Sequence, residues 1–197
     1  MASREHPLAP LREQLKKWPG IGQKAAQRLA YHLIKQSPSD VEAFATELLR
    51  VRQSICYCDT CFNISVTPRC YICEDDSRLR SQICVVANPQ DLDSIEQMQE
   101  YKGQYHVLGG LISPLDGVHP DALRIEELIH RLDAPEVQEL ILAINPTVEG
   151  DTTVLYIKQR LEGMSIRITQ LAYGLPMGAD IDYADSLTLE KAFEGRR

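Results

Sequence analysis

The sequence predicts a multi-part α/β protein with a helical N-terminal region, a cysteine-rich module and a mostly parallel sheet covered by helices. Three observations support this fold class. Two helical patterns flank a Pro-Gly-Ile-Gly turn near the N-terminus, five of the six cysteines lie between residues 56 and 73, and short apolar runs alternate with amphipathic stretches from residue 83 onward. Alternating strands and helices are typical of a parallel sheet with helices on both faces.

Length and composition indicate a chain that folds throughout. Its 197 residues are enough for one large domain or two small ones, and 44% of them are hydrophobic and 25% charged. The N-terminus lacks the apolar run of a signal peptide, and no segment approaches the roughly 18 apolar residues of a membrane span. We therefore expect a cytoplasmic protein, in which clustered cysteines are more often metal ligands than disulfides.

Charge is distributed unevenly along the chain. The net charge is −7, but residues 1–52 carry 9 Lys+Arg and 5 Asp+Glu, which gives +4, whereas the remaining residues carry 12 and 23, which gives −11. A polyanion is therefore expected to contact the N-terminal segment.

The first element is a predicted pair of helices from Leu11 to Ile34, interrupted by Pro19–Gly22, and a third helix is predicted after an N-cap at Ser39 or Asp40. Glycines let a phosphate approach the backbone, a helix N-terminus supplies free N–H groups, and basic side chains four residues apart share a face. The predicted DNA-binding residues are Gly20, Gly22, Lys24 and Arg28. The alternative is an ordinary helical hairpin with solvated basic residues, and the +4 charge favours DNA.

The second element is a metal site. Cys58–Cys61 and Cys70–Cys73 form two C-x-x-C pairs separated by eight residues, a pattern that predicts one structural zinc ion in a closed tetrahedral site. The alternative is that these thiols only pack in a core. Cys56 has the wrong spacing to replace a ligand, and Cys84 lies within a predicted strand as a small buried hydrophobe.

The third element is the sheet, with strands predicted at residues 83–87, 105–108, 139–144 and 165–171. Helices are predicted after Asn88-Pro89 and Asn145-Pro146, where Asn serves as N-cap and Pro as the first helical residue. A further helix is expected at residues 121–132, after a Gly/Pro-rich loop, and a short one at residues 186–194 in the C-terminal tail.

Several long stretches, in order, resemble the RecR family of bacterial recombination mediators over essentially the whole chain. They are LREQLKKWPGIGQKAAQRLAYHLI, the four-cysteine motif, YHVLGGLISPLDGVHP, NPTVEGD and GLPMGADIDYADSLTLEKAFEGRR. The resemblance implies a helix-hairpin-helix region at residues 1–53, a zinc finger at 54–79, a Toprim-like domain at 80–173 and a segment at 174–197 that helps assemble ring-shaped homo-oligomers. It also implies action with RecO and, in some settings, RecF, to load recombinase onto single-stranded DNA coated by its binding protein.

The sequence predicts that the Toprim-like domain is not catalytic. Toprim enzymes hold Mg²⁺ with a Glu after the first strand and a D-x-D after a later one, because Mg²⁺ requires hard oxygen ligands. Ala87 stands where the family commonly has Glu, Asn145-Pro146-Thr147 stands in place of the D-x-D, and the chain has no phosphate loop for ATP.

Two other functions remain open from the sequence. One is a Mg²⁺-dependent nuclease that uses Asp91, Asp93, Glu149 or Asp151, and the other is a zinc-stabilised adaptor that binds only protein. Glu149 is the predicted contact for the basic partner RecO, because the segment after residue 52 is acidic. His119, in the Gly/Pro-rich loop, is a further candidate for contact with DNA or a neighbouring chain.

Overall fold

The computed structural model describes residues 6–172 and 174–196. The chain divides into two compact units, Met1–Ile55 and Cys56–Arg197. Among the described residues, no helix combines the length and the apolar character that a membrane crossing requires.

The first unit consists of three helices, α1 (Ala9–Leu15), α2 (Gln23–Lys35) and α3 (Pro38–Ser54). Its small core contains Leu15, Ala26 and Ala30, and the two alanines allow α1 to pack closely on α2. No residue of α3 is buried.

The N-cap of α3 is Ser37, so the prediction of Ser39 or Asp40 is wrong. Ser37 Oγ accepts a hydrogen bond from the Asp40 N–H at 3.1 Å, and Pro38 occupies the first turn, where its missing N–H costs nothing.

The second unit begins with the cysteine module, in which β1 (Cys56–Tyr57) pairs antiparallel with β2 (Ile64–Ser65) and a single helical turn, α4 (Tyr71–Glu74), follows. The two strands are too short to show a period-2 pattern, so the sequence did not predict them.

The rest of the second unit is built on a four-stranded sheet. All of its neighbouring strands are parallel, which confirms the predicted architecture. The strands are β3 (Leu79–Val86), β4 (Gly103–Val107), β5 (Glu139–Leu142) and β6 (Arg167–Gln170), in the spatial order β4-β3-β5-β6. Two apolar clusters form the core of this unit. One contains Val85, Leu140 and Leu142, and the other contains Val86, Tyr105 and the four cysteines of the two C-x-x-C motifs.

Helices follow the strands as expected, with some different starts. They are α5 (Pro89–Glu96), α6 (Ile125–Leu132), α7 (Val148–Arg160) and α8 (Ser186–Glu194). A separate 3₁₀ turn, Pro120–Ala122, precedes α6, so the helix predicted from residue 121 begins later.

The two Asn-Pro sequences behave differently. Asn88 caps α5 in a capping box, in which the Asp91 carboxylate accepts from the Asn88 N–H at 3.0 Å. The same prediction for Asn145 is wrong, because Thr147 is the N-cap of α7 and its Oγ1 accepts from the Gly150 N–H at 3.1 Å. A Cβ on Gly150 would lie 2.0 Å from the Asn145 carbonyl oxygen, so only glycine fits this close approach.

Candidate nucleic-acid interface and metal centre

The turn between α1 and α2 depends on one glycine conformation. Gly20 has a φ of +76°, in the left-handed region that favours glycine, and the next residue, Ile21, donates its N–H to the Trp18 carbonyl at 3.1 Å. The turn therefore brings the chain directly to the start of α2.

The N-terminus of α2 is open. Gly22 is its N-cap, with an ordinary φ of −82°, and a Cβ there would meet nothing within 4 Å. Within the described residues no side chain caps this end, and the first turn contains no acidic residue. The unpaired N–H groups and the positive end of the helix dipole therefore face open space, which suits an anion.

An exposed basic face continues along α2 from this end. Lys24 and Arg28 are both exposed, and neither forms an ion pair among the described residues. They border a shallow depression of about 470 Å³ that is also lined by Gln27, Tyr31, His32 and Lys35. Sequence reasoning missed Tyr31 and Lys35, although their spacing from Lys24 by seven and eleven residues places them on the same helical face.

The basic residues directly after α1 are engaged differently. Lys16 forms an ion pair with Glu13, with 3.0 Å between Nζ and Oε2, and Lys17 Nζ donates to Gln14 Oε1 at 3.0 Å. Their side chains already have partners three residues earlier in the chain.

The cysteine module brings all four predicted ligands together. The Sγ atoms of Cys58, Cys61, Cys70 and Cys73 lie within 4.8 Å of one another, are buried and form no disulfide. The Cys61 and Cys70 sulfur atoms are 3.5 Å apart, close to the roughly 3.8 Å separation that tetrahedral Zn–S bonds of about 2.3 Å would give. The donor set therefore fits a closed, structural metal site.

The surroundings of the sulfur atoms favour a thiolate at Cys70. Hydrogen bonds from the Cys61 thiol and then the Cys73 thiol lower the pKa of Cys70 to about 2, and the bond with Cys70 is the main cause that raises the pKa of Cys61. The backbone N–H of Cys70 in turn donates to Cys58 Sγ at 3.4 Å. At Cys70 these hydrogen bonds stabilise the deprotonated sulfur, which is the form that binds metal.

The other two cysteines lie outside this cluster. Cys56 is exposed in β1, and its Sγ donates to the carbonyls of Ser65 and Thr67, each at 3.4 Å. Cys84 is buried in β3, and burial raises its pKa to about 12, which leaves an inert thiol.

The module is fixed to the sheet by backbone and aromatic contacts. The Val107 N–H of β4 donates to the Cys61 carbonyl at 2.8 Å. Phe62 has a φ of +61°, and its ring lies edge-on to His106, with 5.4 Å between centroids, and 5.0 Å from the Arg124 guanidinium. These contacts hold Phe62 in a backbone conformation that non-glycine residues seldom adopt.

The acidic residues of the alternative nuclease site do not form a group of three. Asp91 is part of the α5 cap, Asp93 is exposed on α5, and Glu149 and Asp151 are exposed in the first turn of α7. Within residues 6–172 and 174–196, the cysteine cluster is the only set of three or more His, Cys, Asp or Glu side chains close enough to share an ion.

The two remaining candidates are surface residues. Glu149 is exposed, and its backbone carbonyl, not its carboxylate, accepts from Thr153 Oγ1 at 2.7 Å. His119 is exposed and precedes the 3₁₀ turn Pro120–Ala122.

Comparison with protein families gives three matches that do not overlap. The Toprim domain model matches residues 81–172, the RecR helix-hairpin-helix model matches residues 8–52, and the RecR C-terminal model matches residues 174–197. The chain is thus a helix-hairpin-helix and Toprim protein that carries a cluster of four cysteines able to hold a metal ion.

Full-length relatives identify the family. The chain is similar to the recombination protein RecR of Acaryochloris marina, with 53% identity over 97% of this chain and 95% of the relative. The RecR proteins of Thermosynechococcus vestitus and Synechococcus elongatus are 52% and 50% identical, over 97% of this chain and 94% and 96% of theirs. The chain belongs to the RecR family of recombination proteins.

Proposed function

We propose that this protein is a non-catalytic, DNA-binding recombination mediator of the cytoplasm that helps load recombinase onto single-stranded DNA. The observation that carries the DNA-binding proposal is the open N-terminus of α2 beside the exposed Lys24 and Arg28, which form no ion pair in the part of the chain that the structure describes. Gly20 shapes the turn, and Gly22 leaves room for a phosphate to approach. Contacts of this kind recognise the backbone, so binding is independent of base sequence.

The metal proposed for the cysteine cluster is a single Zn²⁺ ion held by Cys58, Cys61, Cys70 and Cys73. Four buried thiolates with no open position favour zinc in a structural role, and the ion would fix the module against β4. The cluster takes no part in chemistry on DNA.

Protein partners are proposed for the acidic second unit. RecO, and in some settings RecF, would dock on a surface that includes Glu149, whose carboxylate is exposed beside Asp151 at the start of α7. Opposite charge steers a basic partner to this surface and away from the DNA-binding face. The variant Glu149→Lys is expected to weaken the RecO complex while DNA binding by the isolated protein is unchanged. Glu162→Lys, two residues after the end of α7, is the matched control.

A ring-shaped homo-oligomer is proposed because the chain exposes apolar side chains in two separate segments. On α3 they include Phe44, Leu48 and Leu49, and in the C-terminal segment they include Met177, Tyr183 and Phe193. A closed ring needs two interfaces on each chain, and large exposed apolar side chains indicate interfaces. In this scheme the DNA-binding region is residues 1–53 and the zinc finger is residues 54–79. The Toprim-like domain is residues 80–173, and the assembly segment is residues 174–197.

The proposal is tested by measuring binding to single-stranded DNA next to a Mg²⁺-dependent cleavage assay. The double variant Lys24→Glu, Arg28→Glu is expected to lose DNA binding while zinc content and oligomer mass are unchanged. The matched control is Lys16→Glu, Lys17→Glu, which reverses two charges directly after α1 and is expected to weaken binding much less.

Other outcomes of this experiment identify the competing functions. Cleavage that persists through purification and is lost in Asp151→Asn or Glu149→Gln would make the protein a nuclease. Absence of DNA binding in the wild-type protein would leave a zinc-stabilised adaptor for proteins.

A further inference from the structure

Arg131 of α6 is a partly buried cation whose hydrogen-bond partners are all neutral. Its guanidinium donates to the Tyr105 carbonyl at 2.6 Å, to His106 Nδ1 at 3.1 Å and to Gln104 Oε1 at 3.3 Å. In the described part of the chain it forms no ion pair, since no carboxylate oxygen lies within 4.0 Å, whereas Arg78 and Arg160 each pair with a glutamate. A cation removed from water in this way is costly unless an anion compensates it.

The histidine beside Arg131 cannot be that anion and does not add a second cation. His106 Nε2 lies 2.7 Å from the Arg124 carbonyl, so it carries the proton, and Nδ1 is free to accept from Arg131. Burial, and next the charge of Arg131, lower the pKa of His106 to about 3. The imidazole is therefore neutral and transmits no charge.

The compensating anions are the cysteine sulfurs. Burial is the largest influence on the pKa of Arg131 and lowers it, and the opposing influences come, in order, from Cys73, Cys61, Cys58 and Cys70. Four thiolates around one divalent cation keep a net charge of about −2, so the site remains an anion after it has bound metal.

The geometry of β4 places Arg131 and the cysteine module on the same edge of the sheet. β4 is an edge strand, and the Tyr105 carbonyl and the Val107 N–H both point away from β3. Arg131 donates to the first, and the Cys61 carbonyl accepts from the second at 2.8 Å. The guanidinium and a metal-ligating residue thus satisfy neighbouring backbone groups of one strand, which closes an edge that would otherwise be unpaired.

We propose that Arg131 is the fixed countercharge of the four-cysteine site, so that its charge strengthens metal binding and couples metal occupancy to closure of the β4 edge. Arg131 contacts no metal and is a positioning residue for the site. The inference rests on the proposed zinc site.

The test is zinc affinity, measured by competition with a chromophoric chelator on the full-length protein. Arg131→Met keeps the length of the side chain and removes its charge, and we expect about a 10- to 100-fold loss of affinity and a faster release of zinc, as for other groups that surround metal ligands. Arg131→Lys keeps the charge and is expected to retain affinity within a few-fold. Arg160→Met, which removes an arginine paired with Glu126 on another surface, is the matched control and should be unchanged.

A second readout separates a countercharge from an arginine that only supports the sheet. A countercharge predicts that Arg131→Met destabilises the zinc-bound protein more than the zinc-free protein, so that the rise in Tm produced by zinc is smaller than in wild type. Equal destabilisation with and without zinc would overturn the proposal. If the methionine variant does not fold, the lysine variant decides: wild-type affinity supports the proposal, and a tenfold loss contradicts it.

Failure of the underlying zinc site has a different signature. A wild-type protein that does not bind one zinc per chain, or a Cys58→Ser variant that keeps it, would refute the metal site itself regardless of Arg131.

Discussion

The hairpin and the cysteine module use their key residues in opposite ways. The four clustered cysteines are at most 5% exposed and lie against one another, whereas Lys24, Arg28 and Lys35 are exposed along one face of α2 without an ion pair among the described residues. Side chains that contact one another in the interior stabilise the fold, whereas exposed side chains are available to bind a partner. Substitutions should therefore affect stability in the module and binding in the hairpin.

The largest expected effect is loss of the metal site. Cys58→Ser should abolish zinc binding and unfold the module, because structural zinc contributes about 10–16 kcal/mol in small zinc-binding peptides. Zinc stoichiometry and thermal unfolding measure this, with Cys56→Ser as the control. The ligand set would be wrong if Cys56→Ser removed the zinc and Cys58→Ser retained it.

The pH dependence of stability is expected to come partly from the buried His106. Its pKa is lowered to about 3 from an ordinary value near 6.5, so the unfolded chain binds a proton that the folded chain excludes. Stability is complete above about pH 6.5 and decreases as pH falls towards 3, by at most about 1.4 kcal/mol per pH unit. Arg131, Arg124 and Glu127 are the charged groups that act on this ring.

The control for this prediction is His106→Gln, which can accept from Arg131 and donate to the Arg124 carbonyl but does not titrate. The free energy of unfolding of this variant should depend less steeply on pH. Identical slopes for the two proteins, each with zinc bound, would show that His106 does not contribute.

Substitution of one glycine in each region allows a direct comparison of the two regions. In the second unit, Gly150→Ala places a methyl group 2.0 Å from the Asn145 carbonyl oxygen and should destabilise the protein by about 1–3 kcal/mol. Chemical denaturation measures this. A Gly150→Ala variant as stable as wild type would mean that the first turn of α7 moves freely away from Asn145.

In the hairpin, Gly22→Ala should change stability by no more than about 1 kcal/mol, since a methyl group there meets nothing described within 4 Å and the main cost is that Ala is a poorer N-cap than Gly. It should nonetheless weaken DNA binding, because the methyl group occupies space needed by a phosphate. Unchanged affinity for single-stranded DNA would remove Gly22 from the proposed interface.

Local sequence patterns predicted the features that depend on neighbouring residues. Cysteine spacing predicted the four-sulfur cluster, and Asn88-Pro89 predicted the start of α5. The same dipeptide at Asn145 failed because Thr147, two residues later, supplies the cap beside the close approach of Gly150.

Features that depend on distant residues could not be predicted in this way. Arg131 binds neutral groups 25 to 27 residues away, and no charge pattern indicates such partners. Tyr31 and Lys35, by contrast, lie on the face already marked by Lys24 and Arg28, and helical periodicity alone would have identified them.

The most direct test of the central claim is the salt dependence of single-stranded DNA binding by the wild type and by Lys24→Gln, Arg28→Gln. Each phosphate contact contributes about 0.7 to the slope of log K against log salt, so removing two contacts should lower the slope by about 1.4 for each engaged hairpin. The slope for the wild type should be the same for DNA of different base sequence. An unchanged slope and affinity in the double variant would contradict the account and place the DNA-binding surface elsewhere on the protein.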